Sequence, residues 1–362
     1  AYEVVHNGKR FTFIDTPGHE AFPQIRARGA KIADIGILVV AADEGVKPQT
    51  REAIAVLREA KIPFVVALNK ADKPDANPER VKQELAKEEV LVESYGGQVP
   101  SVEVSAKTGE HMDDLLETLG ILAELEELES DPAAPAEGVV LETEMDPRRG
   151  ISAILLVRDG TLHKGEIVVI GKNEETVKIL EDSSGTPIGE AGPSSPVSVA
   201  GLGSAPAVGD AFRAFASHDS VVEFVRTMPQ DAEPSLNGAI FNEKAKSEGG
   251  RAVFTVIVKA DVFGSLEAVR DALVKLSGEQ VAVRILRSDI GDINETDVKR
   301  AAATRLVTIA GFRVRVTAGA RELARTQKIR IVTGDVIYDL IDRVKETIVE
   351  LIPAEVKRID LG

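Results

Sequence analysis

Over the first 130 residues, short apolar runs alternate with segments of helical period, and this alternation constrains the fold more than any other feature. "RFTFID" (10–15) reads as a strand, and residues 19–31 read as a helix. "IGILVVAA" (35–42) is a continuous apolar run, as expected of a strand buried on both faces. "TREAIAVLREAKI" (50–62) carries Ile54, Leu57 and Ile62 at near-helical spacing, and "PFVVALN" (63–69) is a second buried strand. "PERVKQELAKE" (78–88) opens on a proline suited to a first helical turn. "SVEVSA" (101–106) is a strand, and "HMDDLLETLGILAELEEL" (111–128) is helical. Such alternation predicts a parallel sheet with helices on both faces over residues 1–130.

The pattern then changes. "ESDPAAPAEG" is a linker, and residues 137–215 are rich in Val, Ile, Thr and Gly with turn signals every 8–12 residues, which predicts a small antiparallel β-barrel. Residues 216–250 are polar and read as a flexible or partly helical linker. From Arg251 alternation returns and predicts a smaller α/β/α third domain over 251–334. Residues 335–362 read as a connecting helix and tail. The helix carries one apolar stripe of Ile337, Leu340, Ile341, Val344 and Ile348. Its 18 residues, 335–352, span roughly 25 Å. Ile337, Leu340 and Ile341 are expected to dock on the third domain, with Val344, Ile348 and Leu351 reaching beyond it as a lever. The expected class is multidomain α/β plus β.

Composition narrows the setting. Cysteine is absent, which excludes disulfides and thiolate metal sites. No apolar run approaches the ~20 residues of a membrane span, and no signal-peptide pattern opens the sequence. A cytoplasmic protein with no membrane contact is expected. Ala1 leads almost at once into strand-like sequence, so the chain is expected to be part of a longer one. The net charge of −15 argues against a general nucleic-acid coat. Residues 251–362 differ, with 19 basic and 16 acidic side chains, and are the likeliest electrostatic contact if RNA is touched. Within them, "GFRVRVTAGARELARTQKIR" (311–330) holds Arg313, Arg315, Arg321, Arg325, Lys328 and Arg330 against Glu322. That run fits either a solvated face or an RNA phosphate contact.

Three motifs carry the chemistry. Asp15-Thr16-Pro17-Gly18 follows the first expected parallel strand, Asn69-Lys70-Ala71-Asp72 the third, and Ser105-Ala106-Lys107 the fourth. Open α/β sheets bind ligands outside the carboxyl ends of their strands, so these pieces converge on one crevice. Asp15 is placed to hold a magnesium ion through water. Gly18 lets its amide approach a terminal phosphate. His19, beside that phosphate, could orient an attacking water. Guanine presents adjacent N1–H and N2–H₂ donors that the Asp72 carboxylate can accept as a pair, whereas adenine has an acceptor at N1. Asn69 can brace the loop, the Lys70 stem can cover one ring face, the Ala106 amide can donate to guanine O6, and Lys107 can pack on the opposite face. Each motif alone has a plain structural reading. Their order and their spacing, 54 residues from Asp15 to Asn69 and 36 from Asn69 to Ser105, point jointly to a guanine-nucleotide site.

With these motifs the chain resembles the translational GTPases, and within them the bacterial translation initiation factor 2 family. The resemblance rests on "FIDTPGHEAF", "RGAKIADIGILVVAADEGVKPQT", "NKADKP", "VEVSAKTGE" and, downstream, "GSLEAVRDAL" and "VIYDLIDRVK". It implies a partial P-loop-GTPase-type sheet that binds GTP or GDP with Mg²⁺, and a helix of residues 19–31 that moves with the terminal phosphate. It also implies engagement of the small ribosomal subunit and assembled ribosome, placement of initiator formylmethionyl-tRNA, subunit joining, and a monomer. His19 would be the catalytic residue; Asp15, Thr16, Pro17, Gly18, Asn69, Lys70, Asp72, Ser105, Ala106 and Lys107 would hold the nucleotide. No G-x-x-x-x-G-K-[ST] occurs in the sequence. By the resemblance this loop and the first switch precede Ala1, and the tRNA-binding domain follows Gly362, so the stretch alone is expected to be inactive. The alternatives are a hydrolysis-incompetent ribosome-binding module and another translational GTPase.

Overall fold

The computed structural model describes residues 1–18, 23–146, 149–171, 173–227, 252–278, 281–304 and 307–351. Strands β1 (Tyr2–His6) and β2 (Lys9–Phe13) form an antiparallel hairpin. Its two-residue loop is Asn7-Gly8, both at positive φ (49° and 77°), the turn that an Asn-Gly pair favours. Helix α1 (Pro23–Ile32) follows, then β3 (Gly36–Ala41), α2 (Pro48–Ala60), β4 (Phe64–Asn69), α3 (Pro78–Lys87), β5 (Ser101–Glu103) and α4 (Met112–Leu125). Strands β3, β4 and β5 make a parallel sheet with β4 in the centre. The run Val65-Val66-Ala67-Leu68 is buried on both faces. Val66 and Leu68 meet Ile54, Val81 and Leu85 on one side. Val65 and Ala67 meet Leu115 and Leu119 of α4 on the other.

Two expectations change here. The strand that leads to Asp15 does not join the parallel sheet: β2 pairs with β1 alone. A cavity of about 620 Å³ lies between this hairpin and β3, with Phe11 and Phe13 on one wall and Ile37 and Leu38 on the other. Nor is β3 buried on both faces. Val39 is 58% exposed, because β3 is an edge strand and the hairpin stands off from it.

The middle of the chain is all β: β6 (Glu137–Asp146), β7 (Gly150–Asp159), β8 (Leu162–His163), β9 (Ile167–Ile170), β10 (Asn173–Thr176), β11 (Ile179–Glu181), β12 (Glu190–Ala191), β13 (Pro196–Leu202) and β14 (Ala211–Phe215). Seven of these form one antiparallel sheet, in the order β10-β9-β14-β6-β7-β13-β11, while β12 pairs with β8. The sheet curls around Val140, Leu155, Leu162, Ile170, Val199 and Phe212. Register shifts along β6–β7 help it bend. Among the described residues no ladder joins β10 to β11, so the expected barrel is a half-barrel. Helix α5 (His218–Thr227) packs on β14 and β9. The rest of the expected linker, from residue 228, lies outside the described residues.

The third unit comprises β15 (Ala252–Ala260), α6 (Phe263–Val274), β16 (Val281–Ile290), α7 (Glu295–Ala302), β17 (Val307–Phe312), α8 (Ala318–Gln327), β18 (Arg330–Gly334) and α9 (Ile337–Leu351). Its four strands are parallel, in the order β16-β15-β17-β18. Helices α6 and α9 share one apolar core with the sheet. Helices α7 and α8 share another, on the opposite face. This is the expected α/β/α arrangement. Asn294 starts α7 with a capping box, its side chain accepting from the Thr296 and Asp297 amides.

The lever expectation fails within the described residues. Val344 and Ile348 are buried in the same core as Ile337, Leu340 and Ile341, so α9 packs on its own domain through Ile348. The sheet is long enough to receive the whole stripe: α9 lies along β18, β17 and α6. The Leu351 side chain and residues 352–362 lie outside the described residues.

Candidate functional site

The parallel register fixes where two of the three motifs meet. Ala41 pairs with Asn69, and Leu68 with Glu103, so the loops after β3, β4 and β5 leave the sheet side by side. Asn69 Oδ1 accepts the Lys70 amide at 2.7 Å and the Ala106 amide at 3.0 Å. Lys70 sits at φ 64°, in the left-handed region, which turns the chain so that the Ala71 amide donates to the Val104 carbonyl at 3.1 Å. Ser105 is fully buried. Its Oγ donates to Asp72 Oδ1 at 2.7 Å and accepts the Thr108 amide at 3.2 Å. A buried hydroxyl thus holds one oxygen of an exposed carboxylate, leaving the other free to turn outward. Ala106 and Lys107 are exposed beside it. One detail departs from the sequence reading. The Ala106 amide, expected to face guanine O6, donates to Asn69 here and ties the two loops together.

The Asp15 loop is built differently. Asp15 is exposed, and among the described residues its carboxylate has no hydrogen-bond or ion-pair partner. Thr16 packs against α1 so closely that a Cβ on Gly29 would lie 2.8 Å from its methyl carbon, so a larger residue there would displace Thr16. The Pro17 carbonyl accepts Arg26 Nη1 at 3.0 Å. Arg26 is 8% exposed and also pairs with Glu52 of α2 at 2.8 Å. At Gly18, an added Cβ would meet nothing nearer than Gln49 Oε1 at 3.7 Å among the described residues. His19 and the first residues of the expected 19–31 helix lie outside the described residues.

Sequence reasoning missed the loop between β3 and α2, which holds Lys70 and Lys73. Its Glu44 accepts Lys70 Nζ at 2.7 Å. Asp43 lies 3.7 Å from the same ammonium and also pairs with Lys73. Farther along the chain, Gln49 reaches Gly18. Hydrogen bonding from Lys73 holds the Asp43 carboxyl below its ordinary range, and hydrogen bonding from Lys70 does the same for Glu44. In return, Glu44 raises Lys70 and Asp43 raises Lys73. The Lys70 ammonium is therefore anchored on the acidic loop after β3. The available signal was "AADEG", an acidic pair directly after a buried strand, the position at which open α/β sheets gather their functional loops.

Comparison with known proteins covers the three units in turn. The family model "Elongation factor Tu GTP binding domain" matches residues 1–124, "Elongation factor G domain 2" matches 135–215, and "Translation-initiation factor 2" matches 231–345. The chain is 45% identical over 354 residues to the translation initiation factor IF-2 of Rubrobacter xylanophilus, covering 95% of this chain and 51% of that protein. It is 43% identical over 366 residues to the IF-2 of Halothermothrix orenii, covering 99% and 53%. The chain thus spans about half the length of these curated relatives. It is also similar to the crystal structure of GDP-bound aIF5B from Aeropyrum pernix, with a TM-score of 0.50 and 29% identity over 93% of this chain and 63% of that one. The match over 231–345 is to an initiation-factor model, whereas those over 1–124 and 135–215 are to elongation-factor models. The chain belongs to the translation initiation factor 2 family of translational GTPases.

Proposed function

We propose that the whole protein is a cytoplasmic, monomeric GTPase of translation initiation. It binds the small ribosomal subunit and the assembled ribosome, promotes placement of initiator formylmethionyl-tRNA and subunit joining, and hydrolyses GTP there. The observation that carries this reading is the clamp of Asn69, Asp72, Ser105 and Ala106. In it Asp72 is the acceptor for the guanine N1–H and N2–H₂ edge, Asn69 the brace with its amide nitrogen toward the base, and Ser105 the group that orients Asp72. Lys70 and Lys107 flank the ring. Asp15, Thr16, Pro17 and Gly18 lie on the terminal-phosphate side, pinned by Arg26.

The residues fit magnesium only in an outer role. No group of three or more His, Asp or Glu that could cage a metal occurs among the described residues. Asp15 is a single exposed carboxylate, suited to holding the waters of an ion whose other ligands come from the nucleotide phosphates. Bound there, the ion would neutralise phosphate charge. The chain's own part is to orient: Asp72 and Asn69 fix the base, Gly18 admits the terminal phosphate to its amide, and His19 positions the attacking water.

The test uses the gene product that contains residues 1–362 with purified ribosomes. The reading predicts selective binding of guanine over adenine nucleotides and ribosome-dependent phosphate release. His19→Ala should leave nucleotide affinity intact and lower turnover by about 10² or more, since it acts on the transition state. Ribosome binding without phosphate release would assign a binding module instead, and loss of guanine selectivity would contradict the site.

A further inference from the structure

The four-stranded sheet of the third unit divides its helices into an inner and an outer layer. The inner layer meets the first unit: Arg28 of α1 forms a bidentate pair with Glu267 of α6, and Gln24 donates to Asp271 at 2.7 Å. Helices α7 and α8 lie on the far side of the sheet, where Val298, Ala301, Ala320 and Ala324 pack on Ile257, Ile293 and Ile309. Their outward sides have a consistent charge. Arg321 and Arg325 lie at i and i+4 on α8, and Lys328 follows at its C-cap with φ 55°. Lys299 and Arg300 are exposed on the neighbouring α7. Among the described residues none of these five side chains has an ion-pair or hydrogen-bond partner.

Two of the acids nearby, Asp297 and Asp292, are engaged. Asp297 is buried 3.7 Å from Lys259. Asp292 accepts the Arg315 amide at 3.0 Å and pairs with its guanidinium at 3.3 Å. Glu295 lies over the start of α8, where a Cβ on Gly319 would fall 1.8 Å from its carboxylate. Glu295 and Glu322 remain among the five cations, and neither carboxylate has an ion-pair or hydrogen-bond partner among the described residues. In a chain of net charge −15 such a concentration is not a sampling of the average surface. The same layer exposes no large hydrophobic side chain among the described residues. It therefore lacks the apolar centre of a protein interface and the apolar face of a lipid-binding helix. Helices α7 and α8 carry no aromatic residue, so they offer no platform for stacking unpaired bases.

We propose that the outward side of α7 and α8, carried by Lys299, Arg300, Arg321, Arg325 and Lys328, is a contact surface for the phosphate backbone of folded RNA. Contact is to backbone rather than bases, as for helical RNA read by shape. This deepens the functional reading above and rests on it, since ribosomal RNA is the RNA within reach of a factor on the ribosome.

The test measures binding of the whole gene product to purified small ribosomal subunits across a salt series. Replacing Arg321, Arg325 and Lys328 together by Gln should weaken binding by about tenfold or more and lower the slope of log K against log salt by about 3. Guanine-nucleotide affinity should stay unchanged, which shows that the variant is folded. Glu322→Gln should tighten binding, a change that misfolding cannot imitate. Residues 1–362 contain no cysteine, so Gln327→Cys, with any cysteine of the flanking segments replaced by serine, gives a single tethering point for an iron chelate. The tethered chelate should cut ribosomal RNA. Unchanged affinity and salt slope in the triple variant would overturn the proposal. So would loss of binding without RNA cleavage, which would assign the face to a ribosomal protein. Failure of the unsubstituted protein to bind subunits at all would overturn the functional reading, and this surface with it.

Discussion

At the scale of single residues, the site depends on groups that never face the nucleotide. Ser105 is fully buried and holds Asp72 at 2.7 Å. A hydrogen bond to a charged group is worth roughly 1.5–3 kcal/mol, so Ser105→Ala should weaken GDP binding by about tenfold or more. Titration of GDP into the variant checks this; unchanged affinity would make Ser105 a packing residue only. Gly18 makes the opposite argument. Among the described residues nothing crowds a methyl group there, so Gly18→Ala should keep the thermal midpoint while lowering affinity for GTP more than for GDP. An equal loss for both nucleotides would remove Gly18 from the terminal-phosphate side. The clamp of Asp43 and Glu44 on Lys70 and Lys73 has a definite pH sign. The acids titrate below their ordinary range and the lysines above theirs, so the clamp is fully charged at neutral pH. Its contribution is lost as pH falls through the lowered carboxyl values or rises through the raised lysine values, and nucleotide affinity should be flat across neutral pH.

At the scale of elements, α9 is the clearest case. Val344 and Ile348 lie in the third unit's core, so Ile348→Ala should destabilise that unit by about 2–4 kcal/mol. Hydrogen exchange should show even protection from Leu340 to Ile348, and fast exchange confined to the later turns would restore the lever. The apolar stripe of α9 was legible in the sequence, but a stripe does not report the length of the surface that receives it. The parallel strands and the loops after β4 and β5 were legible because their signals are local: an apolar run, then Asn-Lys-x-Asp or Ser-Ala-Lys at its end. The hydrogen bonds of Asp43, Glu44 and Arg26 were not. Charged residues in loops follow no period, and their partners are fixed only once the sheet has set the loops side by side. The exposure of Val39 was hidden for a related reason, since an apolar run does not say whether its strand lies at the centre or the edge of a sheet.

At the scale of the whole molecule, the nucleotide-binding unit and the third unit meet through α1, the helix that also pins the Asp15 loop. Arg28 and Glu267 are part-buried and bidentate, a geometry for which a double-mutant cycle should give a coupling of about 1–3 kcal/mol. A coupling near zero would leave the two units independent. The central claim is that the clamp after β4 and β5 reads guanine through Asp72. Xanthine carries a carbonyl where guanine carries its 2-amino group, so Asp72→Asn should exchange a preferred acceptor for a preferred donor. Sites built to hydrogen-bond one group can reject its unmatched analogue by as much as ~10⁴–10⁵. Competition between GTP and XTP for the whole gene product measures this directly. The account predicts that Asp72→Asn moves preference from GTP to XTP. If the variant retains the original preference for GTP by the same margin, Asp72 does not read the base and the account is contradicted.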